Sequence, residues 1–183
     1  MAFPDGWKYK LAITIDHTKI DADLTDWTLV FDQSFDSVLT QVDGPLDADG
    51  ARASLNGGGD IRFSSDSAGA SQLAVDIRSW VTNNTPGSAT CEVAVGTFPV
   101  SSSNDTTIYM WWGKSGETQP GVSTTYGQYN AYDSGFIGVW SLSEDPGPGG
   151  AGDMKDRTSN QLNGTAHSDF TAAEPVDATV GNG

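Results

Sequence analysis

Aromatic and acidic side chains are the parts of this sequence able to do chemistry, and both kinds are grouped. Trp111 and Trp112 are adjacent, so on a strand their rings point to opposite faces. One of them joins a core with Ile108 and Met110 or with Tyr109, and the other meets a second environment. Downstream, the stretch from Thr125 to Asp133 sets Tyr126, Tyr129 and Tyr132 among Gln128, Asn130 and Asp133. A flat exposed ring can stack on the C–H face of a sugar while amides and carboxylates hold the hydroxyls. The same mixture serves protein interfaces, where Trp and Tyr are enriched, and ordinary interior packing. Trp111, Trp112, Tyr126, Tyr129 and Tyr132 are therefore the ligand or interface candidates, with packing, protein contact and glycan contact all open to them.

Carboxylates are the second group. Asp21, Asp23 and Asp26, then Asp47 and Asp49, then Asp153 and Asp156, offer hard oxygen ligands of the kind calcium takes. None of these runs fits the spacing of a calcium-binding loop, and Asp is equally favoured in turns for its local hydrogen bonds. Structural calcium stays open, no residue is assigned to a metal, and no other cofactor is expected. A glycosidase needs two carboxylates across a cleft, roughly 5–9.5 Å apart. Of Glu92, Glu117, Glu144 and Glu174 only Glu92 lies in a clear strand, with Asp60 or Asp76 as conceivable partners. Nothing in the spacing selects such a pair over solvent-facing strand residues. His17 and His167 are too far apart in sequence for a helical zinc motif, and neither a nucleophile elbow nor a phosphate-binding loop occurs. Cys91 stands alone, which excludes an intrachain disulfide and fits a reducing compartment. Asn83, Asn104 and Asn163 match the glycosylation pattern and read as turn residues. The chain reads as a non-enzyme.

The elements that must hold these groups have a period of two. From Trp7 to Asp16 every odd position up to Ile15 is large and apolar, which puts Lys8, Lys10 and Thr14 on the opposite face of a strand. Residues 27–31, 60–63, 73–81, 90–95, 106–112 and 136–142 read as further strands. Only Ser34 to Val42 suits a short helix. Gly, Asn and Ser clusters such as Asn56 to Asp60 and Ser101 to Asp105 separate the strands. Half-buried strands must pack on a second layer, so the expected fold is all-β: an antiparallel β-sandwich of jelly-roll kind. After Leu142 the run Glu144 to Gly152, rich in Gly and Pro, excludes an ordinary strand or helix. Residues 1–142 therefore form the sandwich module, and residues 143–183 an irregular Gly/Pro-rich extension too poor in large apolar side chains to build its own core.

Charge narrows the partners. With 24 Asp and Glu against 9 Lys and Arg, the 183-residue chain carries −15, which repels the nucleic-acid backbone and anionic lipid. The excess is spread over both parts, as on a solvated exterior. No apolar run approaches the ~20 residues of a membrane span, and Met1 to Asp5 lacks the basic-then-apolar pattern of a secretory leader. Neither nucleic acid nor membrane insertion is expected.

The ordered motifs resemble a known family. Trp7-Lys8-Tyr9-Lys10 with Ile13-Thr14-Ile15-Asp16, Asp23 to Trp27, Gly59-Asp60-Ile61-Arg62-Phe63 and Asp105 to Gly113 are similar to an uncharacterised β-sandwich module of phage virion and microbial surface proteins. That module typically precedes a concanavalin-like, laminin-G-type domain. Gly138 to Glu144, Asp153 to Asp156 and Asn163-Gly164-Thr165 resemble such a junction. The resemblance implies a sandwich at a virion or cell surface, implies no catalytic residues, and makes residues 143–183 a stub resembling the start of the second domain.

A phage structural protein folds in the host cytoplasm and leaves by lysis, which reconciles a surface module with the missing leader and single cysteine. The expected role is a non-enzymatic component on the outside of a tailed phage, in capsid decoration or the tail fibre apparatus. Its partners would be a virion scaffold protein and, for adhesion, a host surface glycan; association of identical subunits is also open. The alternative is a carbohydrate-binding or adhesion module of a secreted or cell-surface multidomain protein.

Overall fold

The even positions of Thr106–Trp112 and the odd positions of Tyr9–Ile15 turn to the same side, and the sheet is organised around that shared face. The computed structural model describes residues 3–31, 44–46, 54–82, 90–142, 154–165 and 167. Six strands follow in chain order: β1 (Tyr9–Ile15), β2 (Leu24–Phe31), β3 (Arg62–Ser64), β4 (Gln72–Val81), β5 (Thr90–Val100) and β6 (Thr106–Trp112). They form one antiparallel sheet in the order β1-β6-β3-β4-β5-β2. Among the described residues there is no α-helix; His17–Lys19 and Gln128–Asn130 are single 3₁₀ turns. No helix of the described residues is long and apolar enough to cross a membrane. The short helix expected over Ser34 to Val42 lies outside the described residues.

Register follows from the hydrophobic face. Ile13 pairs with Ile108 and Leu11 with Met110, while Met110 also faces Phe63, and Phe63 faces Leu73. Phe63, Ile108, Met110, Val93 and Val95 are fully buried. Each such side chain contributes about 1.5–3 kcal/mol by leaving water. Leu46 and Ile61, from the connection between β2 and β3, complete this core. Slipping any strand by one residue would place polar side chains in it, so the register is strongly specified. A bulge between Ile77 and Ser79, and register shifts between β2 and β5, curl the sheet.

The opposite face of β4, β5 and β2 has its own cover. The carbonyl of Ala131 accepts from the Thr28 hydroxyl (2.9 Å), and the Tyr132 hydroxyl donates to Asp76 Oδ2 (2.6 Å). Because β3 begins only at Arg62, no β3 residue lies opposite Val75 on the side away from β5, and the Val75 N–H donates instead to the Tyr126 carbonyl.

Two compact units divide the chain, Met1–Asp133 and Ser134–Gly183. The alternation in Phe136 to Leu142, expected to be a strand of the sandwich, lies in the second unit. There, among the described residues, it supplies a single bridge, Trp140 with Asp156. The reason is local: Asp156 Oδ1 accepts from the Val139 N–H, and Asn160 Nδ2 donates to the Phe136 and Ile137 carbonyls. These bonds occupy the backbone groups a longer ladder would need.

Candidate functional site

Alternation along β6 decides the tryptophan question. Trp112 turns inward and is buried in the core, against Tyr9. Trp111 turns outward, partly exposed, beside Tyr109 on the same face. Its indole N–H donates to the Ser64 hydroxyl (2.8 Å), and Phe3 meets the ring edge-on. Lys10, paired with Trp111 across β1 and β6, lays its ammonium 4.9 Å from the Trp111 centroid and 5.3 Å from that of Tyr109. The tyrosines divide as well. Tyr132 is buried against Asp76, Tyr129 is partly exposed, and Tyr126 is exposed. The five candidate rings thus do not converge on one surface. Lys10, Ser64 and Tyr109, which only cross-strand pairing brings beside Trp111, were not evident from linear spacing.

The carboxylates weighed as acid–base groups are engaged. Asp76 and Glu92 both face Arg78: Nε lies 3.7 Å from Asp76, and Nη1 bonds Glu92. Asp76 also accepts from Tyr132. One guanidinium thus contacts both carboxylates. Asp60, fully buried, accepts from the N–H groups of Gly113 (2.6 Å) and Leu55 (2.8 Å). Burial pushes its carboxyl up against those bonds, which oppose the rise. Beside it Arg62, only 5% exposed, donates to the carbonyls of Gly59, Ile61 and Thr118 and to Glu117. Lys114 bonds Glu117 and sits over the Trp7 ring, whose N–H donates to the Asp60 carbonyl. The Lys114 bond, then the nearby cations, hold the Glu117 carboxyl below its ordinary value. This node locks the start of β1 to β3 and the segment after β6.

The acidic turns expected to offer calcium oxygens act on the backbone. Asp23 Oδ1 accepts from the Ser102 N–H (2.7 Å) and hydroxyl, which holds the Asp23 carboxyl down. Asp21 and Asp26 are exposed, while Asp47, Asp49 and Asp153 lie outside the described residues. Asp16, His17 and Asp105 come within 4.8 Å of one another on the surface. The His17 ring bonds Asp105 at 2.7 Å, and Asp16 accepts from the Thr18 N–H and hydroxyl. The Asp16 bonds close the turn after β1, and the His17–Asp105 bonds tie that turn to the connection between β5 and β6.

Asp156 organises the second unit. Its oxygens accept from the N–H groups of Val139, Thr158 and Leu162 and from the Thr158 hydroxyl. Burial raises the carboxyl, but those donors outweigh it and leave the group below its ordinary value. A depressed acid stabilises above its unfolded pKa, near 4, and that contribution is lost as pH falls through the folded value. On acidification below pH ~4, the amide resonances of Val139, Thr158 and Leu162 should therefore shift together. Independent shifts, or none, would refute the shared anchor.

Comparison with known proteins finds no match among family models, curated proteins or solved structures.

Proposed function

We propose that this chain is a non-enzymatic structural module on the outer surface of a tailed-phage virion, in capsid decoration or the tail fibre apparatus, working through protein contacts and host adhesion. The observation that carries the non-enzymatic part is the engagement of Asp60, Asp76 and Glu92: each is tied to Arg78 or to backbone N–H groups. The virion part rests on the ordered motif resemblance and on a net charge of −15, which keeps an exterior module solvated and away from packaged DNA. In this reading the curled sheet is one wall of a β-sandwich of jelly-roll kind. The motif after Leu142 then serves as the junction toward a laminin-G-type neighbour.

Mass spectrometry of intact, gradient-purified virions of the phage that encodes the chain is the direct test. The chain should copurify with capsid or tail proteins at a stoichiometry matching a repeating lattice. Its absence from infectious particles would overturn the proposal. Exposed Tyr126 near exposed Val122 favours the second reading, a carbohydrate-binding module of a cell-surface protein. Glycan-array binding that disappears in Tyr126→Ala, by a chain absent from virions, would select it.

A further inference from the structure

The outer face of the sheet is unequal. Over β4, β5 and β2 the segment carrying Tyr126, Ala131 and Tyr132 lies against the strands. Over β1 and β6 Phe3 meets Trp111 edge-on, Ser64 takes its indole N–H and Lys10 lies by both rings, yet Trp111 and Tyr109 stay partly exposed, whereas Arg62 and Ser64 on β3 are buried. Those two rings are two residues apart on one strand, roughly 6.6 Å at ~3.3 Å per residue. Around them the pairing places Lys10 and exposed Ala12 on one side, and Arg62 and Ser64 on the other. Ala12, having only a methyl group, leaves the flank of Tyr109 low.

From this arrangement we infer a binding shelf for an acidic saccharide: Tyr109 and Trp111 stack on the sugar's C–H face while Lys10 pairs with its carboxylate. The inference rests on the adhesive part of the proposed function and deepens it. An ammonium has three donors, and the Ser67 carbonyl takes one of those on Lys10 at 2.7 Å. Two are left for a ligand, already positioned beside both ring faces. Lys8, just before β1, is exposed as well. Glu117 is paired with Lys114 and Arg62, while Asp66 accepts from the N–H groups of Ala68, Ala70 and Ser71, which hold it in its charged form. Distant negative charge is screened beyond ~8 Å at physiological salt, which leaves the Lys10 ammonium to supply the local attraction for an anionic sugar. A protein partner suits the shelf less well, because lysine is depleted at interface cores.

The test uses the full chain on an array of matched sugars, with uronic or sialic residues set against their neutral counterparts, followed by titration of the best binder. Binding should be confined to the carboxylate-bearing sugars and weaken with added salt. Lys10→Gln and Tyr109→Ala should each weaken it about tenfold, while Lys8→Gln changes it less. Both substituted side chains reach solvent, and unchanged unfolding midpoints would show the variants folded. Equal binding of neutral sugars, binding indifferent to Lys10→Gln, or no binding at all would each overturn the shelf. Failure here leaves the virion reading intact, since particle composition is measured independently.

Discussion

Replacing Gly96 with alanine should destabilise the first unit by about 3 kcal/mol or prevent its folding. Urea unfolding should show the midpoint fall, and heat denaturation a drop of roughly 10 °C. A Cβ at Gly96 would stand 2.1 Å from the Ala131 carbonyl oxygen, 2.9 Å from its carbon and 3.0 Å from the Thr28 hydroxyl. The carbonyl cannot step aside cheaply. It accepts from Thr28, and the next residue, Tyr132, is anchored on Asp76. Relief therefore means lifting the covering segment off β4, β5 and β2, with the loss of both bonds. Gly116 is the control. Its φ of +78 strains an alanine, but nothing lies within 4 Å of the added Cβ. Gly116→Ala should cost about 1–2 kcal/mol through backbone strain alone. If Gly96→Ala proved as mild as Gly116→Ala, the segment would not be packed on the sheet as described.

That contrast also shows where the sequence was legible. The strand expected at Thr106 to Trp112 is found with the same bounds, and the odd-position face of β1 is the core face, because period-two alternation survives wherever one side is buried. β5 runs on to Val100 instead of stopping at Val95. Gly96 and Pro99 argue against a strand by propensity, yet Gly96 is the residue that admits Ala131 and Pro99 faces solvent. β3 begins at Arg62 instead of Asp60, because Asp60 turns inward to collect N–H groups. Phe136 to Leu142 alternates convincingly, but alternation reports a two-faced segment and not its ladder partner. The two tryptophans part by alternation along β6, which was readable, whereas the three tyrosines sit on a connection after β6 whose course no local pattern encodes. For Lys10 the signal was present in part: its place opposite the apolar face of β1 was readable, its neighbours across β6 were not.

Arg62→Met should lower stability by about 3–5 kcal/mol, the usual range for breaking a buried charge node from one side. Methionine matches much of the volume, so the loss would report donors and not packing. The carbonyls of Gly59 (2.9 Å), Ile61 (2.7 Å) and Thr118 (2.7 Å) and the carboxylate of Glu117 (3.2 Å) would all lose their guanidinium. Arg62→Lys should recover only part of the deficit, since a point ammonium cannot span acceptors spread around a planar fork. Glu117→Gln should cost about 1 kcal/mol or less, because its side chain is 29% exposed and the pair is partly screened. The double variant discriminates further. Were Arg62 held mainly by the Glu117 charge, removing both would restore stability, as replacing whole buried ion pairs with apolar groups often does. Three of the four acceptors are main-chain carbonyls that no substitution removes, so Arg62→Met with Glu117→Gln should stay within about 1 kcal/mol of Arg62→Met alone. Chemical denaturation of the four proteins measures this directly. Recovery in the double variant would make the node an ion pair; persistence of the loss makes Arg62 the donor that closes the backbone between β3 and the segment after β6.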